Sequence, residues 1–75
     1  MANRYVYKDA TIEHETDKAV LIKLASGATH WVPKSQLHDN SEAWRKGDTG
    51  TVVINGWFAE KENINTEADE EEEDD

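Results

Sequence analysis

Apolar and polar residues alternate along the first part of this chain and then condense into one dense run. From Arg4 to Ile12 (RYVYKDATI) the alternation, with its aromatic and β-branched content, predicts a strand. Tyr5, Tyr7, Asp9 and Thr11 would share one face, and Val6, Lys8, Ala10 and Ile12 the other. The polar stretch Glu13 to Asp17 reads as a connection. Lys18 to Gln36 (KAVLIKLASGATHWVPKSQ) is the organising segment. Val20, Ile22 and Leu24 fall on one side of an extended strand, with Ala19, Leu21 and Lys23 on the other. Ala25-Ser26-Gly27 supplies a glycine turn, and Thr29 to Val32 forms the returning strand. Pro33 has no backbone N–H to donate, so the strand ends there or lies at a sheet edge. A single turn at Lys34-Ser35-Gln36-Leu37 completes the hairpin.

The remaining positions predict smaller elements. Leu37 to Gly47 reads as a connector with a short helical turn, capped by Asn40 or Ser41, holding Glu42, Ala43 and Trp44 and stopped by Gly47. Asp48-Thr49-Gly50 is a turn and Thr51 to Ile54 a strand. Asn55 would cap a helical turn over Gly56 to Ile64, with Trp57, Lys61 and Ile64 along one side. Short strands, tight turns and one short helix predict a mainly β fold, a small curled sheet or partly open barrel of SH3-like or OB-like size. A mixed sheet with a packed helix is the alternative. Trp31 and Trp57 are expected in its core, because large aromatics supply most of the burial in so small a domain. Trp44, beside Arg45 and Lys46 in a loop, is the surface candidate.

Charge changes the picture at the C-terminus. The formal charge is −9 over 75 residues, but eight acids (Glu67, Asp69, Glu70, Glu71, Glu72, Glu73, Asp74 and Asp75) lie in the last ten residues. Residues 1–65 then hold nine acids against eight Lys and Arg, a balance of −1. The expected organisation is a nearly neutral β domain over 1–65 and a disordered acidic tail over 66–75, which has no apolar surface to offset the entropy of ordering. With no cysteine, neither a disulfide nor a thiolate metal site is available. No apolar run approaches the ~20 residues that span a bilayer, and MANRYVYKDA lacks the apolar stretch of a signal peptide. The expectation is a cytoplasmic protein without a membrane partner.

Glu15 to Ala19 (ETDKA), the apolar strand and glycine turn after it, Trp31 to Gln36 (WVPKSQ) and Trp57 to Lys61 (WFAEK) together resemble a widespread type of small uncharacterised phage and bacterial protein. The resemblance covers roughly two thirds of the chain. It implies a phage or mobile-element setting, hence a host cytoplasm, and carries no activity with it. The pattern has proline before its second tryptophan where this chain has Gly56.

The candidate chemistry is that of binding. Glu13-His14-Glu15 with His30 and His38 contains zinc-type donors, but adjacent strand residues point to opposite faces and no HExxH spacing is present, so no metal or other cofactor is expected. There is no cysteine nucleophile, GxSxG or phosphate-cradling glycine loop, and Asp9, Glu13 and Glu15 read as a solvated face, so no catalytic residue is assigned. Aromatics with lysines alongside are how small barrels hold single strands. Lys18, Lys23, Lys34, Trp44, Arg45 and Lys46 are the nucleic-acid candidates. The expected function is a non-enzymatic, phage-type accessory binding module associated with single-stranded nucleic acid, its affinity tuned by the acidic tail. The alternative is an acidic inhibitor or modulator of a host nucleic-acid enzyme, with a basic host or phage protein as partner.

Overall fold

The computed structural model describes residues 3–73. The chain is mainly β, as the alternation predicts: strands β1 (Arg4–Glu15), β2 (Ala19–Lys23), β3 (Thr29–Pro33), β4 (Thr49–Asn55) and β5 (Glu70–Glu72), with one short helix, α1 (Gly56–Lys61). All five strands join one antiparallel sheet in the order β3-β2-β1-β4, with β5 also on β1. After β3 a single 3-10 turn, Lys34–Gln36, swings the chain round so that Leu37 bridges to Ile54 of β4. That bridge draws the two ends of the sheet together, giving a curled, still open sheet around one core.

β1 is longer than the sequence predicts and its faces differ from simple alternation. Its pairing with β4 shifts between Tyr7 and Ala10, and Asp9 takes a φ of 57°. The extra residue of this bulge puts Lys8 and Asp9 together on the outside. Tyr5, Tyr7, Ala10 and Ile12 all reach the core, in place of the two sets expected. They meet Val20, Ile22 and Leu24 of the hairpin, Val32 from β3, and Val52 and Ile54 from β4. Tyr7 gives its hydroxyl to the carbonyl of Ile64 at 3.1 Å, so its polar end is satisfied inside.

The connector contains no helical turn. Residues 37–44 run beside β4 instead: His38 N–H donates to Val53 O, Glu42 N–H to Thr51 O, and buried Ser41 both donates to Val53 O and accepts from Val53 N–H. Ser41 thereby completes a sheet edge, a stronger use of its hydroxyl than a helix cap. Gly47 does close the connector, with a φ of 93°. Asn55 precedes α1 but its side chain does not cap the helix; its Nδ2 donates to Gln36 Oε1 at 3.2 Å.

One further expectation is corrected. Trp31 and Trp57 are 52% and 58% exposed, and Phe58 takes the core position on α1. Within the acidic segment over 66–73 the structure has a 3-10 turn, Asn65–Glu67, and the short strand β5, which pairs with Arg4–Val6 of β1. Asp74 and Asp75 lie outside the described residues.

Candidate functional site

Hairpin register determines what the solvent face carries. Val20 lies opposite Val32 and Ile22 opposite His30, so the next pair, Leu21 and Trp31, must point outward. Leu21 also lies opposite His14 of β1, which makes an outward row Trp31–Leu21–His14. Ala19 and Pro33 form the row on one side of it, and Lys23 with Thr29 and Thr11 the row on the other. Leu21, Ala19 and Pro33 are half-buried, so Trp31 stands on a short apolar platform with polar margins. The Thr11 and Thr49 hydroxyls meet at 3.1 Å and extend the polar margin onto β4.

Of the predicted cations, register places Lys23 in this outward face, and Lys34 lies beyond its Pro33 end. Lys34 Nζ lies 2.7 Å from Glu15 Oε2, and the Lys46 backbone N–H reaches Glu15 Oε1 at 3.4 Å. Glu15 is in register with inward-facing Val20, so it meets Lys34 and the Lys46 backbone at the end of the sheet beyond Pro33 and not in the outward Trp31 row. The Lys34 hydrogen bond, then the Lys46 N–H, and the nearby charges of Lys34 and Arg45 hold its carboxyl below the usual range. Lys18 belongs to the same end, because its carbonyl accepts the Lys34 N–H at 2.7 Å. Lys23 stands at the other end, 3.9 Å from Glu13.

Trp44 is not the surface aromatic that its neighbours suggest. It is half-buried against the core, and its Nε1 donates to Ser41 O at 2.7 Å. Asp48 fixes the loop by accepting the Trp44 and Arg45 N–H groups, which hold its carboxyl below the usual range. Sequence reasoning placed the wrong tryptophan at the surface. The signal that identifies Trp31 is the hairpin register, once Val20 and Val32 are both placed inward. The second exposed tryptophan, Trp57, meets Phe58 edge-on and carries Lys61 Nζ 5.6 Å from its ring centroid.

Tyr7, Lys8, Leu24, Ala25, Ser26, Glu67 and Asp69 line a shallow cleft of about 180 Å³ between the hairpin turn and the C-terminal segment. Its carboxylates already have partners: Glu67 faces His30 Nε2 at 2.8 Å, and Asp69 accepts the Lys8 N–H at 2.6 Å. Among the described residues no three of His, Asp and Glu converge as metal ligands would. Nor is any described helix long and apolar enough to cross a membrane. The Trp31 platform presents an exposed aromatic, an apolar floor and Lys23 at one margin. Comparison with protein-family models, curated proteins and solved structures gave no match to this chain.

Proposed function

We propose that the chain is a non-enzymatic accessory module that binds single-stranded nucleic acid on the outer face of the β2–β3 hairpin. The observation that carries this reading is Trp31, 52% exposed in cross-strand register with Leu21. A large aromatic held on a sheet with half its surface exposed offers a stacking plane to any base. Lys23 in the outward row, with Lys34 and Lys18 beyond the Pro33 end, are the charges this reading assigns to the phosphates of a bound strand. Lys34 and Lys23 enter the complex already paired with Glu15 and Glu13, so phosphate exchanges with carboxylate and affinity is modest. The phage or mobile-element setting implied by the resemblance fits such an accessory role.

The test is fluorescence anisotropy of labelled oligothymidine at two salt concentrations. Binding should weaken with salt with a log–log slope of about −2, for roughly three phosphates neutralised. Trp31→Ala should weaken it about tenfold or more while the far-ultraviolet spectrum stays native. No binding to either DNA or RNA at low salt refutes the reading. The exposed glutamates of β5 would then favour the alternative, an acidic surface for a basic host or phage protein.

A further inference from the structure

We infer that Arg4 and Lys8 form a second anion-binding pair, a site for phosphate groups, in which the carboxylates of β5 are resident competitors. The inference rests on the nucleic-acid reading for the source of those phosphates, but the pair itself stands on separate geometry. Arg4 Nε donates to Glu72 Oε1 at 2.8 Å, and Lys8 Nζ lies 2.5 Å from Glu70 Oε2. Glu70 and Glu72 are alternate residues of one strand, so they extend to the same side about 7 Å apart. The chain thus lays a short, extended polyanion across two cations. Arginine forks donate to phosphate and carboxylate alike, and lysine serves both as a point charge.

The site belongs to the same outer surface as the Trp31 platform. The bulge that sends Tyr7 and Ala10 into the core leaves Lys8 outside, and Thr11, three residues on, already faces out opposite Lys23. β2 and β5 lie along one edge of β1, with Tyr7 to Ala10 between their pairings. A strand leaving the Lys23 end of the platform therefore meets Lys8 and then Arg4.

β5 is held in a way that permits exchange. It contributes three glutamates and no apolar side chain, with Glu70 and Glu71 exposed. Its attachments include a three-residue ladder, the Asn3 N–H to Glu72 O, Asp69 N–H to Val6 O and Lys8 N–H to Asp69 Oδ2 bonds, the exposed Lys8–Glu70 pair and the partly buried Arg4–Glu72 pair. An exposed pair such as Lys8–Glu70 contributes little and weakens with salt. Docking of β5 about 90 per cent of the time would lower the apparent affinity for an external phosphate about tenfold.

The experiment uses the full chain, two probes and amide NMR. Tripolyphosphate should shift the amides of Asn3 to Lys8 and Glu70 to Glu72, and should do so equally in Trp31→Ala. Glu70→Gln with Glu72→Gln should tighten both tripolyphosphate and oligothymidine about tenfold. Arg4→Gln with Lys8→Gln should remove the tripolyphosphate response. Unmoved β5 amides, or unchanged affinities in the glutamine variant, overturn the inference; oligothymidine binding that still depends on Trp31 would then leave the proposed function intact. The reverse result, tripolyphosphate displacing β5 while oligothymidine fails to bind, upholds the anion pair and overturns nucleic acid as its source.

Discussion

β2 and β5 lie against the same edge of β1, yet they are held by opposite means. β2 presents Val20 and Ile22, both essentially inaccessible, to a core shared with Ile12, Val32 and Val52. β5 presents Glu70, Glu71 and Glu72, and attaches through backbone pairing plus ion pairs to Lys8 and Arg4. Apolar burial is not weakened by ionic screening and is lost only with the fold, whereas screened charge can be exchanged residue for residue with an outside anion. One edge of one strand thus carries a permanent neighbour at one end and a replaceable one at the other.

The contrast breaks most visibly at the β2 end. Ile22→Ala should cost about 2–5 kcal/mol, because the deleted atoms leave a cavity among packed neighbours. In a domain of this size that is a large share of total stability, so chemical denaturation should show much or all of the chain unfolded. A near-normal midpoint would mean that β2, like β5, is a replaceable partner of β1.

A smaller effect should appear in alkali at the β5 end. Tyr5 donates to Glu60 Oε2 at 2.6 Å and pairs across the sheet with Glu71. That hydrogen bond first, then burial and the charges of Glu60 and Glu71, push the phenol up to about 12 from 10.0. The folded-state value is raised, so the stabilisation is complete below the unfolded value of 10.0 and is lost as pH rises towards about 12. Melting temperature should therefore fall across that window, and less so in Tyr5→Phe. Equal falls in both proteins would remove Tyr5 as the cause.

The smallest effect needs no substitution. Amide exchange at Glu70 to Glu72 should be close to that of an unprotected chain and should accelerate with salt, while Val20 and Ile22 exchange only with global unfolding. Protection of β5 equal to that of β2 would join the two ends into a single cooperative unit.

Local pattern was enough to specify the hairpin, its glycine turn, the 3-10 turn after Pro33 and the strand before Asn55, because each is set by neighbours in sequence. The sequence alone also specified that Val20, Ile22 and Leu24 face inward together, since strand alternation leaves no other arrangement. Three features depended on distant contacts. The bulge at Lys8 and Asp9 changed which β1 residues are buried, because β4 pairs across it with one residue fewer. Trp31 went outward because Val32 faces inward opposite Val20; composition favours burying a tryptophan, but cross-strand register overrode it. Ser41 became an edge partner of β4 and left no helix behind it. The acidic segment is the clearest case. Its residues contain nothing that predicts a strand, and only the fold brings the open edge of Arg4–Val6, with Arg4 and Lys8 beside it, within reach of Glu70 and Glu72. Propensity belongs to the segment itself, whereas a free edge and two matching cations belong to its surroundings, and those exist only once the chain has folded.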